Sequence, residues 1–278
     1  MPLPTHASER LAPVPPRWGG QLALAPGMGV FMGQAGNNLP HQHWAHQLVL
    51  GLDGPAEMVS GERVLRAPCI FVRAGVPHRL AAGRLLSVFL DPTTALSQAL
   101  CQQLGMAQAL CALPPPLAVL FRDTLTADLS LESVLIHLHA ALQSKAVRGG
   151  DARLAGITQA LAQDAGLEHP HRRAHLAAMA GLSETRFSHW FREHTGMPLR
   201  SYRKWLRLVR GLEHALRGGT LTDAAHQAAF ADQAHFSRTF VQMFGVRASD
   251  VVSSIHWSPG AAGRLQSSPT GLSFSLAP

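Results

Sequence analysis

Two patterns of hydrophobic and polar positions divide this chain. From residue 21 to residue 92, short apolar runs such as Met28–Met32 and Leu85–Leu90 alternate with Gly, Pro, Asn and Asp. Short runs between turn residues are typical of a compact β-barrel or sandwich. From Thr93 onward the turn residues become sparse and helical spacing takes over. The sequence therefore predicts an α+β multidomain protein, with an N-terminal β-barrel followed by helices.

Composition sets the boundaries of the predicted segments. Residues 1–20 are rich in Pro and Gly and are predicted to be a flexible arm, and residues 254–278 are predicted to be a disordered tail. Between them lie the barrel (21–92), a helical connector and dimerisation region (93–147) and an all-helical domain (151–253). No apolar run reaches the roughly 18 residues that a membrane helix requires, so we expect no membrane partner.

One apolar stripe in the connector has the spacing of a helix–helix seam. It falls at positions i, i+3, i+4, i+7 and i+11, and consists of Leu131, Val134, Leu135, Leu138 and Leu142. Such a stripe predicts a homodimer through two copies of this helix. The alternative is that the stripe packs on its own barrel.

Charge points to an anionic partner. The net charge is +7 and the isoelectric point is about 10.5. Residues 151–250 hold thirteen basic and nine acidic residues, and every basic residue there except Lys204 is arginine, whose planar fork suits phosphates and base edges. Nucleic acid is therefore the leading candidate partner. The three cysteines lack the spacing of a metal site and indicate reduced thiols in a cytoplasmic protein.

Two segments of the helical domain resemble each other. Residues 176–191 and residues 223–240 each contain a short helix, a tight turn and a second helix, which is the pattern of a helix-turn-helix. Ser183 and Asp232 are suited to cap the second helices, because their side-chain oxygens can accept from free backbone N–H groups.

Helical spacing separates a buried face from an exposed face in both second helices. Phenylalanines and a tryptophan share one face, namely Phe187, Trp190, Phe191, Phe236, Phe240 and Phe244. The opposite faces carry Thr185, Ser188, His189 and Arg192 in the first helix and Gln233, Ala234, Ser237 and Arg238 in the second. Gln and Arg can each form two hydrogen bonds with one base edge. An ordinary solvated face is the alternative, but two such faces in one basic domain favour DNA reading.

The segment between the two units has a suitable length for adjacent major grooves. Pro198 to Arg217 has the composition of a helix of 20 residues, which spans about 30 Å. Successive major-groove faces lie about 34 Å apart on one side of a duplex. The basic residues of this helix are spaced for phosphate contacts, and they are Arg200, Arg203, Lys204, Arg207 and Arg210.

These motifs resemble the DNA-binding domain of the AraC/XylS family of bacterial transcription regulators. The matching runs are 176–183 and 235–240, with Phe191, Gly196 and Phe244–Gly245. The resemblance implies base contacts from Thr185, Ser188, His189, Gln233, Ala234, Ser237 and Arg238. Arg186, Arg192 and Arg203 complete the predicted DNA-binding set.

The chain departs from the family pattern at three positions of the second unit. It has Ala224 for the usual Ile, Ala229 for the usual Gly of the turn, and Ala248 for the usual Pro. An alanine with positive φ costs about 1 kcal/mol relative to glycine, so we expect a less rigid second unit.

The N-terminal region resembles the two cupin motifs. His41, His43 and Gln47 share parity along a predicted strand, and His78 follows on a neighbouring one, with Gln47 where metal-binding cupins have Glu. Many AraC-type regulators carry such a barrel as an effector sensor, so these four residues are the predicted effector site. His41, His43 and His78 are also candidate ligands for a divalent transition metal. The alternative is that no cofactor is required and that the histidines hydrogen-bond an organic effector.

The sequence thus predicts a ligand-responsive transcription regulator that is not an enzyme. Its expected partners are double-stranded DNA, a small-molecule effector, RNA polymerase and a second copy of the chain. A metal-dependent cupin enzyme with a helical appendage is the alternative, although the barrel lacks the Glu of the metal motif. A chromosome-architecture protein would be expected to carry a stronger and more even basic excess.

Overall fold

The computed structural model describes residues 17–25, 27–105, 109–126, 131, 152–164 and 171–257. The strands in these ranges are β1 (Gly19–Ala25), β2 (Met28–Ala35), β3 (His46–Gly51), β4 (Ala56–Ser60), β5 (Arg63–Ala67), β6 (Cys69–Val72), β7 (Arg79–Leu80), β8 (Gly83–Leu90), β9 (Leu110–Ala112) and β10 (Ile255–Trp257). The helices are α1 (Ala95–Leu104), α2 (Pro115–Thr126), α3 (Ala152–Asp164), α4 (Arg173–Met179), α5 (Glu184–Thr195), α6 (Leu199–Leu216), α7 (Leu221–Gln227), α8 (Gln233–Phe244) and α9 (Ala248–Ser254).

The N-terminal strands form two sheets that share one core. The large sheet has the order β10-β1-β2-β8-β3-β6-β9, and the small sheet has the order β5-β4-β7. Buried side chains of both sheets, such as Val49 and Ile70 of the large sheet and Met58 of the small one, belong to one hydrophobic cluster. The predicted β-rich N-terminal region followed by a helical C-terminal domain is confirmed.

Strand β3 is buried on both faces, which explains its nearly continuous apolar sequence. Val49 faces the core between the sheets, whereas Leu48 and Leu50 belong to a second cluster together with Leu100 of α1. The helices of the connector therefore cover the outer face of the large sheet.

Two helix-turn-helix units lie in the C-terminal domain, as the sequence predicts. The first unit is α4 with α5, and the second unit is α7 with α8. Ser183 and Asp232 cap the second helices, because their side chains accept from the backbone N–H of Arg186 and His235. Both helices end at a left-handed glycine, Gly196 or Gly245. The 18-residue helix α6, about 27 Å long, joins the units.

Both predicted terminal segments have boundaries that differ from the structure. Strand β1 begins at Gly19, within the predicted arm 1–20, and β10 lies within the predicted tail 254–278. The reason is that β10 pairs in parallel with β1, with Ile255 opposite Gly20. This pairing joins residues more than 230 positions apart in the sequence, so no local pattern indicates it. The remainder of both segments lies outside the described residues.

The connector 93–147 is not helical throughout its described part. Besides α1 and α2 it contains the strand β9, which extends the large sheet by pairing with β6. Of the apolar stripe, Leu131 lies within the described residues, is 2% exposed and packs in the cluster on the outer face of the large sheet. The other four residues of the stripe lie outside the described residues, so the homodimer stays a prediction.

Candidate nucleic-acid interface and interdomain cavity

The polar face of α5 is open to solvent. Thr185, His189 and Arg192 are exposed, as is Arg186. Ser188 is half-buried, and its hydroxyl donates to the Glu184 carbonyl at 2.9 Å. On the opposite face Phe187 and Phe191 are fully buried, which fixes the helix on its domain.

The polar face of α8 is open in the same way. Gln233, Ala234 and Arg238 are exposed and Ser237 is half-buried. The Gln233 side-chain carbonyl accepts from the Thr222 hydroxyl at 2.8 Å, which orients the amide at the start of the helix. The structure therefore brings the predicted base-reading residues onto two exposed faces, while their contact with DNA stays a prediction.

Arg203 differs from the other predicted DNA-binding residues. Its guanidinium donates to the His171 carbonyl and lies 3.7 Å from the Asp164 carboxylate, whose side chain is 3% exposed. Asp164 in turn accepts from His171 Nδ1 at 2.5 Å. Arg203 therefore links α6 to α3 within the domain, and sequence spacing alone could not indicate this pairing.

Replacing Arg203 by alanine is expected to lower the free energy of unfolding by about 1–2 kcal/mol, because a buried carboxylate loses one of its partners. The control is Arg200→Ala, an exposed arginine on the same helix, which is expected to change stability by less than about 0.5 kcal/mol. Urea unfolding measures both. Equal stabilities of the two variants would show that the link contributes nothing.

The turn of the second unit is strained. Ala229 has φ of 52°, whereas the corresponding residue of the first unit is Gly181 with φ of 65°. Both backbones occupy the left-handed region, where a Cβ atom is unfavourable. The positive φ of Ala229 is therefore the structural reason to expect that an alanine at this turn lowers stability.

Ala229→Gly is expected to raise the free energy of unfolding by about 0.5–1 kcal/mol, because it relieves this strain. The reciprocal change Gly181→Ala is expected to lower it by a similar amount, since open space surrounds that Cβ and strain is the sole penalty. Thermal and urea unfolding of both variants test the pair. A destabilised Ala229→Gly variant would contradict the assignment.

The structure brings the four predicted effector-site residues together. His41, His43 and His78 have ring centroids 4.4 to 5.8 Å apart, and Gln47 contacts His43 at 3.1 Å. The segment is not one regular strand, because β3 begins only at His46 and His41 forms an isolated bridge with His78. All four side chains are buried, and their role in binding an effector stays a prediction.

All three rings are neutral and share one tautomer. Burial lowers the pKa of His41 to about 4, with a smaller contribution from the neighbouring His78. Burial also lowers the pKa of His43 and of His78. Each Nδ1 lies 2.8–2.9 Å from a backbone carbonyl. Because a carbonyl only accepts, each Nδ1 carries the proton, and each Nε2 keeps its lone pair.

The lone pairs of the cluster have few partners. The Nε2 of His78 is buried and has no hydrogen-bond partner in the described part of the chain. The Nε2 of His43 faces the Gln47 amide, which also contacts the Ser87 hydroxyl at 3.1 Å. An amide orientation that presents N–H to His43 and its carbonyl to Ser87 satisfies both groups.

A cavity of about 160 Å³ lies between the barrel and the helical domain. Its polar lining residues are Asn38, His41, Gln47, Ser87 and Asp91. Its apolar wall comes from both domains and includes Trp18, Phe31 and Phe89 of the barrel and Trp205, Val209, Leu212, Phe240 and Phe244 of the helical domain. Sequence reasoning missed the second wall. The apolar positions on a second face of α6 are the signal that could have indicated it.

Asp91 joins the two domains at the rim of the cavity. Its carboxylate accepts from the Tyr202 hydroxyl of α6 at 2.8 Å and from the Thr93 backbone and hydroxyl at 2.8 and 2.6 Å. Burial raises the pKa of Asp91, and the three hydrogen bonds oppose the shift. This buried bond holds α6 against the end of β8.

The comparisons with known proteins agree with this geometry. Residues 176–253 match the family model described as a helix-turn-helix domain. Residues 176–253 are an AraC-type helix-turn-helix domain. None of the curated proteins matches the sequence.

Solved structures share the fold over most of the chain. Apo ToxT from Vibrio cholerae, as a lysine-to-alanine variant, is 10% identical, with a TM-score of 0.54 over 82% of this chain and 97% of that chain. Wild-type ToxT bound to an unsaturated fatty acid is 13% identical, with a TM-score of 0.50 over 85% and 96% of the chains. At these identities the likeness shows the fold alone, a β-rich N-terminal region ahead of a helical C-terminal domain. In the part of the chain that the structure describes, no helix is long and apolar enough to cross a membrane.

Proposed function

We propose that this chain is a transcription regulator that binds a specific double-stranded DNA sequence and responds to a small molecule. The AraC-type domain and its two exposed recognition helices support the DNA partner. The observation that carries the effector response is the cavity, whose wall comes from both domains. The proposal excludes an enzymatic role as the main function, and a DNA partner favours a cytoplasmic location.

The two-domain wall provides a route from ligand to DNA. A molecule in the cavity contacts the barrel residues Phe31 and Phe89 together with Trp205 and Phe244 of the helical domain. It therefore binds the closed arrangement of the domains more tightly than any arrangement that separates them. A ligand with such a difference in affinity shifts the population of arrangements, and with it the affinity for DNA.

The wall also defines the class of the effector. Most of the lining is aromatic or aliphatic, and a few residues, among them His41 and Gln47, offer hydrogen-bonding groups. This combination suits a largely apolar molecule with one polar group beside His41 and Gln47. The ToxT structure described as bound to an unsaturated fatty acid supports the same class for this chain.

The recognition helices and α6 make different kinds of contact with DNA in this proposal. We assign base reading to Thr185, His189, Gln233 and Arg238, which are exposed and can form hydrogen bonds with base edges. Because Arg203 is engaged inside the domain, the phosphate contacts of α6 fall to the exposed Arg200 and Lys204. RNA polymerase and a second copy of the chain remain proposed partners.

A divalent transition metal is a second candidate ligand, which the cluster of three histidines would hold. The chemistry of the donors fits, because nitrogen ligand atoms of His41, His43 and His78 lie within 4.8 Å of one another. Their Nδ1 atoms are held by carbonyl groups, as is common for metal-binding histidines. A bound metal would supply a Lewis-acidic position facing the cavity. Zinc titration with elemental analysis tests this, and His78→Ala is expected to abolish binding.

The homodimer has its own test. Leu135→Asp is expected to give a folded monomer if the stripe forms a seam between two chains. If the stripe packs on its own barrel, as the buried Leu131 suggests, the variant unfolds the N-terminal domain instead. Light scattering together with circular dichroism distinguishes the two outcomes.

The proposed function is tested on DNA selected by the protein. The full chain enriches duplexes from a random-sequence pool, and gel shifts compare an enriched duplex with its shuffled counterpart. We expect a preference of at least about 1,000-fold, and a change of about 5-fold or more on adding oleate as a probe of the cavity. Val209→Trp, which fills the cavity, is expected to keep the DNA preference and lose the oleate response. Equal affinity for both duplexes would contradict the regulator, and a full response in Val209→Trp would contradict the cavity.

A further inference from the structure

The segment Leu39–His43 touches the end of the second recognition helix. The backbone N–H of Leu39 donates to the Gly245 carbonyl at 2.8 Å, and that of Gln42 donates to the Gln242 carbonyl at 3.4 Å. The approach is close, because a Cβ atom on Gly245 would lie 2.3 Å from the Leu39 carbonyl oxygen and 2.8 Å from His41 Nδ1. The barrel thus contacts the C-terminal cap of α8 through backbone atoms.

The same segment carries His41, which lines the cavity. His41 and His78 exchange two backbone hydrogen bonds of 2.9 and 2.8 Å, and the His41 ring bonds the Leu39 carbonyl at 2.9 Å. The His43 ring lies 6.3 Å from the Phe244 ring, the last residue of α8. A displacement of the His41 ring by an occupant therefore moves atoms that lie against Gly245.

The first unit lacks this connection at the equivalent position. Gly196 caps α5 in the same left-handed conformation, with φ of 76°, yet no atom lies within 4 Å of its Cβ position. Within the described residues, α5 forms no hydrogen bond with the barrel. The cluster of the first unit meets the barrel through Trp44 and through Tyr202, whose hydroxyl donates to Asp91, and neither barrel residue belongs to Leu39–His43. The second unit is further bound by β10, which follows α9 and pairs with β1.

We propose that Leu39–His43 is a coupling element that transmits occupancy of the cavity to the second recognition helix and leaves the first unit in place. The inference rests on the proposed function and names the route of its regulation. It follows that the effector changes the contacts of Gln233 and Arg238 with DNA. The half-site read by Thr185 and His189 is bound in both states.

Two matched glycine variants test the helix side of the connection. Gly245→Ala and Gly196→Ala introduce the same local strain, but only the first pushes against the barrel. In hydrogen exchange of the full chain, we expect Gly245→Ala to accelerate the amides of Leu39 and Gln42 about tenfold or more, whereas Gly196→Ala changes only the last turn of α5. Wild-type exchange of Leu39 and Gln42 in Gly245→Ala would overturn the proposal.

A cavity-side pair tests the opposite direction. His78→Ala removes a buried ring bridged to the segment, and Ser87→Ala removes a buried group that lines the cavity and lies outside the segment. We expect faster exchange in the last turn of α8 for His78→Ala and not for Ser87→Ala, with α5 unchanged in both. Equal effects of both variants on α5 and α8 would overturn the proposal, as would no effect on α8. If His78→Ala does not fold, His78→Gln replaces it.

Footprinting on the enriched duplex separates this inference from the proposed function. Gly245→Ala is expected to lose protection about tenfold over one half-site and keep it over the other. Equal loss over both half-sites would overturn the selective coupling while the regulator stands. Should no duplex be enriched, the regulator itself fails, and the exchange results still decide whether the segment connects the cavity to α8.

Discussion

Lowering the pH from 7 to 5 is expected to remove about 4 kcal/mol from the free energy of unfolding. Burial lowers the pKa of His41 and His46 to about 4 in the folded state, against an ordinary value of 6.5. Between these values the unfolded chain binds protons that the folded chain does not, so stability falls as the pH falls. Each of the two contributes about 2 kcal/mol at pH 5.

Other buried groups modify this loss without reversing its sign. The pKa of His43 and of His78 is also lowered by burial, which adds to the loss. The pKa of Asp91 is raised by burial, so its carboxyl binds a proton more readily in the folded state and opposes the loss. Among the described residues, four buried histidines contribute to the loss and one buried carboxyl, that of Asp91, opposes it. The net effect is therefore destabilisation by acid.

Urea unfolding at pH 7, 6 and 5 measures the effect, and His46→Gln is the matched variant. The backbone N–H of Ala74 donates to His46 Nδ1 at 2.9 Å. A glutamine side-chain carbonyl can accept this hydrogen bond in place of the imidazole, but the amide group does not titrate. The variant is expected to lose about 2 kcal/mol less than the wild type between pH 7 and 5. Identical losses in the two proteins, or no loss in the wild type, would contradict the burial of neutral histidines.

Arg238→Ala is expected to weaken binding to the enriched duplex by about 1–3 kcal/mol, which is roughly 5- to 150-fold. Arg238 is exposed on the polar face of α8, and a guanidinium can contact two acceptors of one guanine. The loss is expected at one base position, where the variant no longer discriminates between base pairs. Gel shifts against single-position variants of the duplex measure it.

The control for charge is Arg66→Ala, which removes an exposed arginine from β5 in the barrel. It is expected to leave both the affinity and the base preference within twofold of the wild type. An Arg238→Ala variant that loses affinity equally on enriched and shuffled duplexes would mark Arg238 as a phosphate contact and refute its assignment as a reader.

Local chemistry made the helical domain predictable from sequence. Ser183 and Asp232 cap helices through bonds to residues three positions later, and the phenylalanine stripes repeat within single helices. The grouping of His41, His43 and His78 was predictable for a different reason, because the cupin-like spacing indicates a known arrangement. In each case the signal lies within a few residues or within one motif.

The remaining features depend on contacts between distant residues. The pairing of β10 with β1 and the cavity wall formed by Trp205 and Phe244 both join the two domains, and neither leaves a periodic trace. Arg203 has the spacing of a phosphate contact but pairs with Asp164, since α3 packs beside α6. Such pairings are set by tertiary packing, which the pattern of one segment does not contain.

Hydroxyl-radical footprinting of the wild-type chain on the enriched duplex tests the central claim most directly. The 18-residue helix α6 is about 27 Å long, and we expect it to space α5 and α8 for successive turns of one major groove. The account predicts two protected blocks, centred about 10 base pairs apart on one face of the duplex, each containing positions where base changes abolish binding. A single protected block, or protection that is independent of sequence, would contradict it.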